Sequence, residues 1–164
     1  MNFLIGKKIL FKNLSTNLLG EHNVQNLTAV LSIIDDLGYK IKKSHILSFR
    51  GTKRRMNILG KLNKTLFIDD YAHHPTEVKA TIQAAKTSWE RRILAVFQPH
   101  LFSRTRDFYK EFASSLELAD YVILTDIYPA RERPIPNISS KLIFDDLRKI
   151  IFLKEYFRII HFAI

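Results

Sequence analysis

At 164 residues the chain has room for one domain, or for one domain and a fragment of another. With 46% hydrophobic residues it can bury a core, and with no cysteine it excludes both a disulfide framework and a thiolate metal site. Its net charge of +10 would suit a polyanion, but the positive residues are scattered and form no basic-aromatic module, so nucleic-acid binding is not expected. Met1–Lys8 carries its charge after a short apolar run, the reverse of a secretory signal. No apolar stretch approaches the roughly 20 residues that span a bilayer. The expectation is a cytoplasmic protein without membrane contact.

Residues 3–11 alternate around Gly6-Lys7 and predict a short hairpin. From His22 to Leu37, the residues Val24, Leu27, Val30, Leu31 and Ile34 recur at helical spacing, and Gly38 stands where a helix stops. Lys43 to Phe49 predicts a short helix. Arg50-Gly51-Thr52-Lys53-Arg54-Arg55 then marks a domain boundary. Met56–Leu62 and Thr65–Asp69 flank Asn63-Lys64 as a second hairpin. Pro75 suits the first turn of a helix reaching about Lys86, because the N–H it lacks has no partner there. A strand over Arg92–Phe97, a helix over Asp107–Leu118 and a strand over Tyr121–Leu124 follow. Apolar strands separated by helices predict an α/β domain with a parallel sheet covered on both faces. From Leu142 the chain becomes rich in Ile and Phe, and residues 148–164 read either as a final helix and strand or as a poorly packed tail.

Three dense polar turns follow the apolar runs, and they are expected at one edge of one sheet, where α/β folds place ligands. They are Asp69-Asp70-Tyr71-Ala72-His73-His74-Pro75-Thr76-Glu77, then Gln98-Pro99-His100-Leu101-Phe102-Ser103-Arg104-Thr105-Arg106, then Thr125-Asp126-Ile127-Tyr128-Pro129-Ala130-Arg131-Glu132. Asp69, Asp70, His73, His74 and His100 have the donor types for a hard or borderline metal, as in a metal-dependent hydrolase. The same Asp and His residues also suit a plain helix cap ahead of Pro75. Arg104 and Arg106 favour a third reading, because guanidinium groups beside imidazoles suit a carboxylate or phosphate better than a metal cation.

These motifs resemble the carboxy-terminal part of the ATP-dependent Mur ligases of peptidoglycan synthesis, specifically the members that add alanine. The resemblance rests on Asp-Asp-Tyr-Ala-His-His-Pro-Thr-Glu, Phe-Gln-Pro-His with Ser-Arg-Thr-Arg, and Asp-Ile-Tyr-Pro-Ala. Gly20-Glu21-His22-Asn23-Val24-Gln25-Asn26 resembles the family's His-Asn-x-x-Asn helix start, and Phe49–Arg55 its inter-domain segment. A tripeptide-recycling relative shares the first element but is not similar at Phe97–Arg106.

The resemblance implies a Rossmann-like, mostly parallel α/β domain over 49–147, a remnant of the ATP-binding domain over 1–48 and a divergent tail over 148–164. It implies joining of L-alanine to UDP-N-acetylmuramate through an acyl phosphate, with ATP and Mg2+ serving the complete enzyme. By the same resemblance, Asn23, Asn26 and Asp70 bind ATP, while Tyr71, His73, His100 and Arg104 surround alanine. His73 and His100 are then the catalytic candidates, holding the amine or taking its proton. The family pattern carries Arg at Leu101 and Gly at Arg131. No Gly-x-x-x-x-Gly-Lys-Ser/Thr loop occurs among the 164 residues. The chain is therefore expected to bind ATP weakly or not at all alone, and to be inactive alone. It could be a non-catalytic remnant, or a piece completed by a separately encoded amino-terminal half.

Overall fold

The computed structural model describes the backbone of residues 3–5 and 8–150, and side chains from residue 11 to residue 147. Two compact units divide the chain, Met1–Tyr71 and Ala72–Ile164.

The amino-terminal unit opens with the expected hairpin. Strands β1 (Phe3–Ile5) and β2 (Lys8–Phe11) pair antiparallel, with Ile5 opposite Lys8. Helix α1 (Glu21–Asp36) ends as its sequence predicts. Gly38 takes φ 76°, its N–H bonds to Asp35 O, and Tyr39 N–H bonds to Ile34 O. These paired bonds satisfy carbonyls that the last turn would otherwise leave bare. Helix α2 (Lys43–Ser48) is short. Its Ile46 joins Leu14 and Leu31 in a small core, flanked by Phe11, Leu27 and Ile41. The apolar stripe of α1 is only partly covered. Leu31 is buried, whereas Val30 is 50% exposed. A hairpin and a two-turn helix offer too little surface to bury a five-residue stripe.

Strands β3 (Asn57–Leu62) and β4 (Thr65–Asp69) form the second expected hairpin around Asn63-Lys64, where Asn63 adopts the left-handed φ of 52°. This corrects one expectation. Among the described residues β4 pairs with β3 alone, so the first polar turn does not leave the same hydrogen-bonded sheet as the other two.

The carboxy-terminal unit holds helix α3 (Pro75–Ser88), strand β5 (Leu94–Phe97), helix α4 (Phe102–Leu116), strand β6 (Tyr121–Leu124) and helix α5 (Lys141–Ile150). Strands β5 and β6 pair in parallel, Leu94 beside Tyr121 and Phe97 beside Leu124. The core draws Val78 and Ile82 from α3, Phe97 from β5, Phe112, Ala113 and Leu116 from α4, and Ile143 and Leu147 from α5. Phe112 stands at its centre, fully buried, with its ring 5.2 Å from that of Phe97. Ser115 Oγ donates to Pro75 O at 3.0 Å and to Glu111 O at 2.7 Å, tying α4 to the start of α3. Helix α4 begins five residues before its expected start at Asp107, and bends at Phe108, where φ is −128°. The tail expected at 148–164 lies outside the described residues from 151 onward.

Candidate functional site

The two turns that follow β5 and β6 lie side by side because the parallel ladder continues past the strands. Thr125 N–H donates to Phe97 O at 3.1 Å, Tyr128 N–H to Pro99 O at 2.8 Å and Leu101 N–H to Tyr128 O at 2.9 Å. His100 and Tyr128 form a parallel bridge, and their rings stack with centroids 5.5 Å apart. This is the carboxyl end of a parallel strand pair, the usual place for a ligand in such sheets.

Arg104 lies one helical turn beyond His100 and brings Nη1 to 3.2 Å from His100 Nδ1. A guanidinium has donors and no acceptor, so Nδ1 is the acceptor and the proton of a neutral ring sits on Nε2. Desolvation, then the charges of Arg104 and His73, hold the His100 pKa below the ordinary imidazole value, against a smaller opposite pull from Glu132. Both effects favour the neutral ring, whose N–H is then on Nε2.

His73 completes the cluster, its ring 6.2 Å from that of His100 and edge-on to it. Its position comes from the start of α3. Glu77 Oε2 accepts the backbone N–H groups of His73 at 3.0 Å and His74 at 3.1 Å, and lies 3.4 Å from His73 Nδ1. His74 is the N-cap, its Nδ1 2.8 Å from Thr76 Oγ1, and its ring packs edge-on against Phe108. The helix-cap reading therefore holds for His74, while His73 is left to face His100. Glu77→Ala removes the acceptor for two N–H groups, so unfolding in urea is expected to show a loss of about 0.5–2 kcal/mol, the usual scale for a lost cap. An unchanged midpoint and slope would show that the box contributes nothing.

The remaining sequence candidates belong to the amino-terminal unit. Asp70 Oδ2 accepts Met56 N–H at 2.8 Å. The Tyr71 ring lies under the Arg54 guanidinium at 4.7 Å, and Asp69 pairs with Arg54 at 3.7 Å. Asn23 Nδ2 donates to Leu19 O at 2.7 Å in the first turn of α1, and Asn26 is exposed on the same helix. Among the described residues no three His, Cys, Asp or Glu side chains gather as metal ligands. The donors proposed for a hydrolase are also otherwise engaged. Asp69 and Asp70 serve Arg54 and Met56, and the positive Arg104 guanidinium beside His100 disfavours a cation there.

The family model described as Mur ligase, glutamate ligase domain, matches residues 54–163. The chain belongs to the Mur ligase family. A UDP-N-acetylmuramate–L-alanine ligase of Carboxydothermus hydrogenoformans is 47% identical over 133 residues, which are 80% of this chain and 29% of that protein. A solved UDP-N-acetylmuramate-alanine ligase from Thermotoga maritima superposes with a TM-score of 0.67 at 34% identity, covering 85% of this chain and 30% of that one. A murein peptide ligase from Psychrobacter arcticus follows at 0.56 and 26%, covering 84% and 28%. The chain thus spans under a third of the length of these relatives, and its likeness is to the carboxy-terminal part of the alanine ligases. Its α/β architecture is the Rossmann-like one of Mur ligase carboxy-terminal domains.

Within this Mur ligase domain, the sequence motifs named His73, His100 and Arg104, which the structure gathers. They assigned no role to Tyr128, Ser103 or Glu132. Ser103 donates to Glu132 through both its backbone N–H, at 2.9 Å, and its hydroxyl. The usable signal was the third polar turn, because parallel strands in succession place their following turns next to one another. Of the two departures from the family pattern, Leu101 adopts φ 72°, and beside Arg131 the left-handed position falls on Ala130, at φ 51°.

Proposed function

We propose that the chain acts as the carboxy-terminal part of an ATP-dependent ligase joining L-alanine to UDP-N-acetylmuramate, in the cytoplasm, with the His73–His100–Arg104 cluster receiving the amino acid. The observation that carries this reading is Arg104 set 3.2 Å from His100 Nδ1, with the His73 ring 6.2 Å from that of His100. A guanidinium fork orients a carboxylate through paired N–H donors. A neutral imidazole with an outward N–H adds a donor without adding charge.

The two histidines then take different parts. With Nδ1 accepting from Arg104, His100 supports substrate as a donor. His73 has its Nδ1 3.4 Å from Glu77, so that Nε2 is the nitrogen proposed to take a proton from the alanine ammonium. His73 is the proposed base. Asn23, Asn26 and Asp70 are the proposed nucleotide contacts of the amino-terminal unit, the amides for the adenine edge. Domain limits of 1–48, 49–147 and 148–164 go with this reading, as does a partner supplying the UDP-sugar and phosphate sites.

Reconstitution tests it. The chain is mixed with, or fused to, the amino-terminal portion of an alanine-adding ligase, and alanine-dependent phosphate release is followed with ATP, magnesium and UDP-N-acetylmuramate. Restored turnover is the expected result. A properly folded pair that never responds to alanine would sink the reading.

A further inference from the structure

We infer that Glu132 is a positioning residue, capping α4 from outside that helix and so holding Arg104 against His100. Helix α4 starts without a cap of its own. Its N-cap is Leu101, an apolar residue at φ 72° and ψ 135° whose side chain accepts nothing. The first N–H groups of a helix need acceptors from elsewhere, and a carboxylate there also meets the positive end of the helix dipole. Glu132 supplies both from 29 residues downstream of Ser103. Its Oε2 takes the Ser103 N–H at 2.9 Å and its Oε1 takes the Ser103 hydroxyl.

Ser103 lies between His100 and Arg104 in the chain. Glu132 is itself set by a turn, its N–H donating to Pro129 O at 2.9 Å, one residue after Tyr128 stacks on His100. The β6 turn is therefore joined to the β5 turn by main-chain pairing at Tyr128, by Gln98 Nε2 donating to Asp126 O at 3.3 Å, and by the Glu132 carboxylate at Ser103. The Glu132 join is the one that sets the direction of the first turn of α4, which carries Arg104. The charged groups around His100 are Arg104 from α4, His73 from the start of α3 and Glu132 from the β6 turn. Glu132 is the one that favours protonation of His100, while the hydrogen bonds from Ser103 keep Glu132 itself ionised to lower pH than usual.

This inference deepens the proposed function and rests on it for its catalytic consequence, though not for its structural one. The structural test uses the full 164-residue chain. Imidazole titration and amide exchange are read by NMR in wild type, Glu132→Gln and Glu132→Ala. The amide of Gln keeps an acceptor oxygen but no charge. In that variant, Ser103 N–H protection should persist while His100 titrates lower than in wild type. In Glu132→Ala, Ser103 protection should fall and His100 Nδ1 should lose the shift that marks its bond to Arg104. If Glu132→Ala does not fold, the Gln variant decides. An unmoved His100 titration there, or unmoved Ser103 and His100 signals in a folded Ala variant, overturns the inference.

In the reconstituted ligase, Glu132→Ala should raise the alanine KM toward the roughly 100-fold that a misplacement of about 1 Å costs. Arg104→Ala runs beside it. If Arg104→Ala leaves alanine kinetics alone, the alanine site has been misassigned, and the NMR arms still judge Glu132. If Arg104→Ala impairs alanine use and Glu132→Ala does not, the positioning role is wrong.

Discussion

The purified 164-residue chain, given ATP, magnesium, UDP-N-acetylmuramate and L-alanine, is expected to release no alanine-dependent phosphate. Carboxylate activation by ATP needs backbone donors, a lysine and magnesium arranged around the β- and γ-phosphates. The 164 residues contain no Gly-x-x-x-x-Gly-Lys-Ser/Thr run, and their 5 glycines are dispersed. In the amino-terminal unit, Asn23 and Asn26 on α1 are proposed contacts for a base, and base contacts do little to neutralise a triphosphate. The cluster that the carboxy-terminal unit does assemble, His73, His100 and Arg104, is the one proposed to receive the amino acid. The assay is steady-state phosphate release from a preparation shown to be free of host ligase. Sustained alanine-dependent turnover by the chain alone would place a phosphate site within these residues and overturn the reading.

Arg104→Ala, in the ligase reconstituted with this chain, should weaken alanine use by about 2–5 kcal/mol in kcat/KM, the range for removing one partner of a desolvated charge pair. ATP affinity should hardly change. The size follows from what the side chain does in place. It supplies a fixed guanidinium from the first turn of α4, braced on His100 Nδ1 at 3.2 Å. Lysine should rescue little, since an ammonium on a flexible stem keeps the charge but loses the planar fork. The check is the alanine dependence of initial rates at saturating ATP, with nucleotide titration alongside. Normal alanine kinetics together with poor ATP binding would mean that Arg104 faces the other substrate.

The sequence located most elements because their signals are local. Gly38, Pro75 and Asn63-Lys64 each act within a few residues, and each marks a boundary found in the fold. The start of α4 was missed for the opposite reason. Its cap residue is Leu101, which signals nothing, and its acceptor is Glu132, on another turn. The shared sheet was misjudged because three apolar runs look alike in sequence. The tight turn at Asn63-Lys64 gives β4 to β3, whereas a full helix between β5 and β6 lets them lie parallel. The stripe on α1 was legible as a pattern, but a pattern does not tell how much of it will be covered, and Val30 stays exposed. In the site, His73, His100 and Arg104 stood out as reactive side chains in dense turns. Tyr128 did not, because its role depends on a backbone pairing that only the parallel ladder creates.

That pairing bears on how far this region can drift over evolutionary time. Pro99, Leu101 and Tyr128 align the two turns through carbonyl and N–H groups, which every residue except proline carries in full. Main-chain alignment is indifferent to which side chain is attached. Leu101 and Arg131 can therefore depart from the family pattern while His100 stays stacked on Tyr128. The left-handed φ of 72° at Leu101 still disfavours a β-branched residue there. What the two turns cannot absorb is a change in length, since one residue added between Pro99 and Leu101 would separate the two bonds that Tyr128 makes, to Pro99 O and from Leu101 N–H.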